Sequence, residues 1–249
     1  MSLYRCDLHL HSCLSPCGDE DMTPGNIVGM SLLNGLQIVA LTDHNSTKNC
    51  PAFFKIAKAN GIIPIAGMEL TTAEDVHAVC LFRDLESAMA FGEYVDAHRF
   101  KIKNQPEIFG EQLITDENDE VIGKEEFLLL NASYLSLEEA YAEVKARGGV
   151  CYPAHIDRES NGIIAMLGDF PPDPPFTAFE LRDIAKLEQS LGQYPVLGER
   201  KLAFVASSDA HYLTDIAEEG FAVELDDEPY SSQSVRDRLI DYLLGKKED

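Results

Sequence analysis

The feature that most constrains this fold is the alternation of apolar runs with amphipathic segments that begin at capping residues. The runs have the length and composition of buried strands and lie at residues 3–11, 36–44, 62–70, 76–82, 150–155, 176–183 and 201–211. Segments typical of helices lie between or after them, at residues 23–35, 50–61, 85–102, 136–149 and 231–249. Strands that alternate with helices in this way predict a parallel α/β fold.

Residues 102–124 depart from this alternation. Two strand-like stretches, 110–115 and 120–125, flank the turn-forming residues 116–119, Asp-Glu-Asn-Asp, which predicts a β-hairpin inserted between helices. A lid, a dimer contact and plain decoration are open roles for it. The length of 249 residues suits one large α/β domain or two small ones, and we predict a single domain over residues 1–249. The sequence leaves the oligomeric state open.

The charge of the chain bears on its partners. Forty-three Asp and Glu face 20 Lys and Arg, for a formal net charge of −23. Such a surface repels phosphate backbones, and no Lys/Arg run forms a basic patch, so nucleic acid is an unlikely substrate by this criterion. An acidic surface is also simply a soluble one.

Cysteine and hydropathy patterns indicate a cytoplasmic protein with no membrane segment. The sequence has no stretch of roughly 20 apolar residues and opens without a signal-peptide pattern. Its six cysteines form no CxxC pair, which favours free thiols over a disulfide framework. Cys6, Cys80 and Cys151 lie in strand-like runs, where cysteine packs as a small apolar residue.

Histidines recur at the ends of the predicted strands. Of the seven, only His98 falls inside a predicted helix, where we expect a surface residue; the others are His9, His11, His44, His77, His155 and His211. One such placement would suit an ordinary hydrogen-bonded histidine. In barrel-like α/β folds the carboxyl ends of the strands meet on one face, so six placements predict one shared cavity.

Acidic residues accompany these histidines. Asp43 precedes His44, Glu69 lies near the end of a strand, and Asp209 comes two residues before His211. His9 and His11 are also two residues apart on a strand, so both side chains point to one face, and Asp209 and His211 share this geometry if their strand persists. Imidazoles and carboxylates at this density predict a site for divalent transition metals.

These residues resemble a known family. The motifs "DLHLH", "TDH", "GMEL", "DVHAV", "PAH" and "SSDAH" occur in order between residues 7 and 211. Together they are similar to those of the PHP (polymerase and histidinol phosphatase) family. The resemblance implies a distorted (βα)7 barrel with two or three divalent metals (Zn, Fe or Mn) in a cleft at the carboxyl ends of the strands.

The resemblance also implies which residues would hold each metal. His9 and His11 would hold the first metal, with Glu69 and Asp209 as shared carboxylates. Glu69, His77 and His155 would hold the second metal. His44 and His211 would hold the third, which usually takes one more ligand from the loop after the HxH motif.

The loop after His11 departs from the family pattern. Counting forward from His11 places the third-metal ligand near Pro16 or Cys17, and counting back from the helix cap at Thr23 places it near Asp19. Thiolate suits zinc, and carboxylate suits iron, manganese or zinc, so both remain open. Cys13 and Cys17 have no second cysteine pair with which to complete a four-thiolate zinc site.

Candidate catalytic residues lie beside the metal ligands. Asp43 would either orient His44 or cap a turn. Arg158 would bind a substrate phosphate, since guanidinium meets phosphate bidentately; the alternative is an ion pair with Asp157 or Glu159. Weaker candidates for phosphate binding are Lys48, Ser207 and Ser208.

The resemblance implies a metal-dependent phosphoesterase that hydrolyses a small phosphorylated metabolite or nucleotide with a metal-bound hydroxide. One alternative is an exonuclease that acts on nucleic-acid ends. Another is a non-catalytic domain that metal stabilises. The acidic surface favours a small substrate over the exonuclease hypothesis.

Overall fold

The computed structural model describes residues 1–218 and 220–246. Its strands are β1 (Ser2–Asp7), β2 (Ile38–Leu41), β3 (Ile63–Thr71), β4 (His77–Phe82), β5 (Leu113–Thr115), β6 (Val121–Lys124), β7 (Val150–Pro153), β8 (Ala178–Leu181), β9 (Ala203–Ala206) and β10 (Phe221–Leu225). Its helices are α1 (Pro24–Leu33), α2 (Cys50–Ala59), α3 (Leu85–Ala97), α4 (Pro106–Phe109), α5 (Leu137–Ala146), α6 (Ile163–Leu167), α7 (Leu187–Gln193), α8 (Pro195–Glu199) and α9 (Ser232–Leu243).

The main sheet is mixed rather than parallel. Its strand order within the described residues is β10-β1-β2-β3-β4-β7. Strands β1, β2 and β3 run parallel, whereas β4 pairs antiparallel with β3 and β7, and β10 pairs antiparallel with β1. Strands β8 and β9 form a separate parallel pair. The α/β class is therefore confirmed, but the all-parallel sheet is wrong and the (βα)7 arrangement is not confirmed.

The connection between β3 and β4 explains this difference. Only residues 72–76 join the two strands. A parallel pair needs a crossover of a dozen or more residues, so such a short link allows only an antiparallel pair. As a consequence, the first residue of β4, His77, lies opposite Thr71 at the carboxyl end of β3. The antiparallel direction thus places His77 at the same edge as the carboxyl ends of β1, β2 and β3.

Both faces of the main sheet are covered. Along β2, Val39 and Leu41 pack into the cluster that includes the buried faces of α1, α2, α3 and α5. Ile38 and Ala40 point the other way and pack in a second cluster with the apolar side of α9. Because side chains alternate across a strand, four consecutive apolar residues predict a strand that is buried on both faces.

The segment between α3 and α5 contains the predicted hairpin, formed by β5 and β6. Its turn contacts α1, where Asp119 Oδ1 accepts a hydrogen bond of 2.9 Å from the Gly25 amide. Helix α3 ends at Ala97, earlier than predicted, because His98 leaves the helical conformation and caps it. His98 is half-buried rather than a plain surface residue, and its Nδ1 donates to the Tyr94 carbonyl.

Two further features complete the fold. Strand β10 was not predicted from the sequence, yet it pairs with β1 over five residues. None of the helices formed by residues 1–218 and 220–246 has the length and apolar character that crossing a membrane requires. The division of the chain into a single domain stays a prediction.

Candidate metal centre

The predicted ligands come together at one edge of the sheet. His9 and His11 follow β1, His44 follows β2, and His155 follows β7. Short backbone bridges continue the strand pairing past these ends, between Leu10 and Ala210 and between His44 and Glu69. The bridge at Ala210 brings its two neighbours, Asp209 and His211, to the residues after β1. The sequence prediction of one shared cavity is consistent with this arrangement.

Glu69 is the centre of the cluster. Its Oε1 lies 2.7 Å from His77 Nδ1 and 3.0 Å from His155 Nε2. Its Oε2 lies 3.0 Å from His44 Nδ1. The side chain is buried, so this carboxylate is screened from water and surrounded by imidazoles.

A second group surrounds the HxH motif. His9 Nε2 and His11 Nε2 lie 3.2 Å apart, a spacing that suits two neighbouring ligands on one ion with metal–nitrogen distances of about 2.0–2.1 Å. Glu69 Oε2 is 3.4 Å from His9 Nε2 and 3.3 Å from His11 Nε2. Asp209 Oδ1 is 3.5 and 3.3 Å from the same two nitrogens.

Three groups of ligand atoms are compact enough to hold ions. In each group the atoms lie within 4.8 Å of one another. The groups are His9, His11, Glu69 and Asp209; His44, Glu69 and His77; and His11, His44 and His211. Which of these residues bind metal stays a prediction: the first group matches the set that the resemblance implies, but His155 is in none of the three groups, and His44 rather than His155 joins Glu69 and His77.

The hydrogen bonds on the outer side of the imidazoles fix their tautomers. His9 Nδ1 lies 2.9 Å from Glu180 Oε1, and a carboxylate oxygen can only accept, so the Nε2 of neutral His9 keeps its lone pair. Ser15 Oγ donates to Asp43 Oδ1 at 2.7 Å and therefore accepts from His11 Nδ1 at 3.1 Å. Both Nε2 atoms are thereby held ready for a metal, in the arrangement typical of metal-binding histidines.

Glu180 is a site residue that sequence analysis missed. It lies in β8, is 1% exposed, and also accepts a hydrogen bond of 3.1 Å from the His155 amide. A signal was present in the sequence, because a glutamate within an apolar strand is buried only when it is paired. Its partner could not be read from the sequence, because His9 lies 171 positions away.

The electrostatics of the cluster suit a cation. Burial lowers the pKa of His11, but the neighbouring Asp209 and Glu69 carboxylates outweigh it and raise the pKa to about 9. Burial raises the pKa of Glu69, but the charges of His77, His9 and His44 hold it well below its usual value. The carboxylates therefore stay ionised and draw positive charge to themselves.

Buried polar atoms without a hydrogen-bond partner test whether metal ions fit this cluster. Glu69 Oε2, Asp209 Oδ1, and the Nδ1 atoms of His44 and His77 are buried without a hydrogen-bond partner among the described residues. Buried polar groups are normally paired, and buried ions are paired or bound to metal. Oxygen and imidazole nitrogen are also the ligands of zinc, iron and manganese sites, so the residues fit such ions.

Backbone strain is concentrated at this site. His155 and Asp209 have φ angles of 28° and 53°, in a region that non-glycine residues rarely adopt. Such strain persists where the surroundings enforce it, and it is common at functional sites. At Asp209, the surroundings include a hydrogen bond of 2.9 Å from its amide to the His9 carbonyl.

The two candidate third-metal ligands have different surroundings. Burial lowers the pKa of His44, but the charge of Glu69 outweighs it and raises the pKa to about 9. Cys17 is an exposed free cysteine, and the compact group of ligand atoms at this position, from His11, His44 and His211, does not include it. Asp19 Oδ1 instead accepts a hydrogen bond of 2.9 Å from the Asp21 amide.

Asp43 holds the loop after the HxH motif rather than the His44 imidazole. Its carboxylate accepts three hydrogen bonds of 2.7 Å, from the Ser12 amide, the Ser12 hydroxyl and the Ser15 hydroxyl. Of the two alternatives for Asp43, the structure supports the cap of a turn. Through Ser15 this carboxylate also reaches His11.

Arg158 points into the centre. Its Nη1 donates to Asp209 Oδ2 at 2.7 Å, not to Asp157 or Glu159, and 36% of its side chain is exposed. The alternative of a local ion pair is not formed: Asp157 accepts instead from the amides of Arg182 and Asp183.

Phosphate binding by the weaker candidates, Lys48, Ser207 and Ser208, has less support from the structure than phosphate binding by Arg158. Lys48 forms an ion pair with Glu125 in the segment that contains the hairpin. The Ser208 hydroxyl accepts from the Ala210 amide at 3.2 Å and so closes a turn. The Ser207 hydroxyl is buried without a partner among the described residues.

Fold and site together define an α/β protein with a centre of imidazoles and carboxylates suited to divalent metals. Residues 7–170 match the PHP domain family, and the chain belongs to this family. The resemblance found in the sequence is confirmed.

Solved structures of low sequence identity share the fold. An endonuclease Q of Pyrococcus furiosus, described as lesion-specific, gives a TM-score of 0.62 at 18% identity, over 94% of this chain and 55% of that one. A putative metal-dependent phosphoesterase of Bifidobacterium adolescentis gives a TM-score of 0.57 at 20% identity, over 83% of this chain and 87% of that one. An amidohydrolase of Chromobacterium violaceum with bound sulfate gives a TM-score of 0.56 at 19% identity, over 89% of this chain and 92% of that one.

Among curated proteins, an uncharacterized protein of Methanocaldococcus jannaschii is 28% identical over 110 residues. The match covers 41% of this chain and 62% of that protein, so the chain spans less than two thirds of this relative. The expectation that nucleic acid is an unlikely substrate is not supported, because one similar structure is an endonuclease.

Proposed function

We propose that this protein is a metal-dependent phosphoesterase that hydrolyses a small phosphorylated metabolite or nucleotide. The observation that carries the proposal is the contact between Arg158 Nη1 and Asp209 Oδ2, at 2.7 Å. It places a partly exposed guanidinium at the edge of a cluster that fits metals. A phosphoester needs both: a cation for its non-bridging oxygens and metal ions at the reacting centre.

The proposed ligands are those that the family resemblance implies, and they differ from the compact groups in placing His155 rather than His44 beside Glu69 and His77. His9, His11, Glu69 and Asp209 would hold one ion; Glu69, His77 and His155 a second; and His44 and His211 a third, with Cys17 or Asp19 as further candidates. When bound, two or three divalent ions (Zn, Fe or Mn) would activate water for attack on phosphorus and neutralise the phosphoryl and leaving oxygens.

The chain's own residues would prepare the centre and orient the substrate. Glu180 and Ser15 hold the imidazoles of His9 and His11 in one tautomer. Arg158 would turn its remaining donors to the substrate phosphoryl group. Next to Arg158 is a pocket of about 390 Å³, which Lys186 and Tyr194 also line. It offers room for the part of the substrate that does not react.

A nuclease is the second candidate. The endonuclease Q similarity favours it, including a structure of that enzyme in complex with a 27-mer duplex that has an abasic lesion, with a TM-score of 0.61. The net charge of −23 opposes it, because an acidic surface repels a long polyanion. A small substrate needs only the local field of the metal centre, so we favour the small phosphoester.

The test begins with metal content, measured on the purified protein by elemental mass spectrometry. Hydrolysis of p-nitrophenyl phosphate, a panel of nucleotides, and single- and double-stranded oligonucleotides is then assayed with Mn²⁺ or Zn²⁺. We expect turnover of small phosphoesters, its loss in His155→Ala, and retention in His98→Ala, which changes a histidine outside the centre. Preferential cleavage of oligonucleotides would establish the nuclease, and bound metal without any turnover would establish a non-catalytic domain.

A further inference from the structure

The inserted hairpin packs against residues 12–18, the loop that follows the HxH motif and is called the HxH loop below. The Leu113 amide in β5 donates a hydrogen bond of 2.9 Å to the Cys13 carbonyl. Gly110, which precedes β5, packs so closely that a Cβ there would lie 2.3 Å from the Pro16 carbonyl oxygen. The hairpin therefore contacts the backbone of the HxH loop at two separate points.

Asn49 joins the hairpin to the HxH loop through its side chain. Its Nδ2 donates to the Ser12 hydroxyl at 2.9 Å and to the Leu113 carbonyl at 3.1 Å. Its Oδ1 accepts a hydrogen bond of 3.0 Å from the Thr115 amide. The side chain is fully buried, and these bonds use both of its N–H groups and its oxygen. One amide thus links β5 to the start of the loop.

The position of Asn49 in the chain makes this arrangement unusual. It is the N-cap residue of α2, where an asparagine side chain normally accepts a hydrogen bond from the first turn of the helix. The Asn49 side chain makes no such bond. Its hydrogen bonds go to the HxH loop and the hairpin instead, so helix capping does not account for this residue.

From the Ser12 hydroxyl, the hydrogen bonds continue to two proposed metal ligands. This hydroxyl donates to Asp43 Oδ2 at 2.7 Å, and Asp43 Oδ1 accepts from the Ser15 hydroxyl at 2.7 Å. Ser15 Oγ accepts in turn from His11 Nδ1 and from the His44 amide, both at 3.1 Å. All five residues are buried, where a hydrogen bond that is lost leaves an unpaired polar group.

We propose that the inserted hairpin, joined through Asn49, holds the HxH loop in the conformation that presents His11 and His44 to metal. Asn49 is then a positioning residue of the metal centre that acts through Ser12. This inference rests on the proposed function, since it assumes the same metal centre. It assigns the hairpin a role in shaping the site, in place of a lid, a dimer contact or decoration.

The metal affinity of the full chain tests this without relying on turnover. Binding of Zn²⁺ and Mn²⁺ is measured by competition with a chromogenic chelator, and the stability of each metal-free variant is measured by urea denaturation. Loss of a residue that orients a metal-binding imidazole typically lowers metal affinity by about 10–100-fold. Because Asn49 acts through Ser12, we expect the lower end of this range, about 10-fold, in Asn49→Ala.

Gln112→Ala is the matched control for Asn49→Ala. Gln112 lies directly before β5, is similarly buried, and also makes three side-chain hydrogen bonds. Its partners are the carbonyls of Glu125 and Phe127 and the amide of Leu129, none of them in the HxH loop. We expect this variant to lose stability much as Asn49→Ala does, while it keeps the metal affinity of the parent protein.

A second pair of variants tests the hairpin contact without changing Asn49. Gly110→Ala places a methyl group against the Pro16 carbonyl, on a backbone with a φ of 93°. Gly61→Ala is its control, because Gly61 has a similar φ of 81° but a Cβ there would meet no atom within 4 Å. We expect weaker metal binding in Gly110→Ala and unchanged binding in Gly61→Ala. If Asn49→Ala does not fold, this second pair tests the inference.

The possible results separate this inference from the proposed function. Metal affinity that is unchanged in Asn49→Ala or Gly110→Ala, or lowered equally in their controls, would overturn the inference and leave the proposed function standing. A parent protein that binds no metal would remove the proposed function and this inference with it.

Discussion

His9 donates through Nδ1 to Glu180 Oε1 at 2.9 Å, and both side chains are buried. Outer carboxylates of this kind orient a metal-binding imidazole, and losing one typically lowers metal affinity by about 10–100-fold. We therefore expect Glu180→Ala to weaken zinc or manganese binding by about that factor, with a smaller effect in Glu180→Gln, whose amide oxygen still accepts.

The measurement is competition with a chromogenic chelator at fixed pH. Glu188→Gln is the matched control, because Glu188 is an exposed glutamate in α7. Equal metal affinity in Glu180→Ala and the parent protein would show that the carboxylate does not position His9.

The carboxylate of Asp43 gives a prediction on stability. It accepts three hydrogen bonds from Ser12 and Ser15, and it is 1% exposed. Each buried donor left unpaired costs about 1–3 kcal/mol. Asp43→Ala should therefore lower the free energy of unfolding of the metal-free protein by about 3 kcal/mol.

Urea denaturation of the metal-free proteins measures this loss. Asp75→Ala replaces a less buried aspartate at positive φ and serves as a comparison for a loop aspartate away from Ser12 and Ser15. A change of less than about 0.5 kcal/mol in Asp43→Ala, the range of ordinary surface substitutions, would contradict a structural role.

Much of this site was predictable because its signals are local. His9, His11 and Asp209 each stand at the end of an apolar run, and strand ends share an edge of the sheet. The orientation of β4 was not predicted because apolar composition does not encode strand direction. The length of the 72–76 connection did contain that information. Partners such as Glu180 and His9 depend on tertiary packing over 171 positions, which one sequence cannot show.

Glu125 leads to a pH dependence of stability. It contacts Arg99 Nη2 at 2.7 Å and also pairs with Lys48, linking the hairpin segment to the rest of the chain. Burial raises the pKa of Glu125, but the Lys48 hydrogen bond, the Phe127 amide and Arg99 outweigh it and lower the pKa below 4.5. A lowered pKa in the folded state means that this stabilisation is present above pH 4.5 and is lost as pH falls through the folded pKa.

The expected result is a pH-dependent difference between the parent protein and Glu125→Gln. The parent should be more stable at neutral pH, and the difference should shrink as the solution is acidified below pH 4.5. Urea denaturation across this range measures it, with Glu126→Gln, an exposed neighbour, as the control. A difference that stays constant or grows on acidification would show that the ion pairs do not set the pKa of Glu125.

Arg158 tests the link between the metal cluster and the substrate. Because its guanidinium already meets Asp209, a phosphoryl group bound at the same ion would lie within its reach. Arg158→Ala should lower kcat/KM for the best phosphoester by about 10²–10³-fold, the usual cost of one lost donor to developing charge. Arg158→Lys should recover part of it, since ammonium keeps the charge but not the bidentate geometry. Metal content distinguishes this role from support of Asp209: unchanged stoichiometry with reduced kcat/KM would assign Arg158 to the substrate, whereas loss of metal would assign it to holding the ligand.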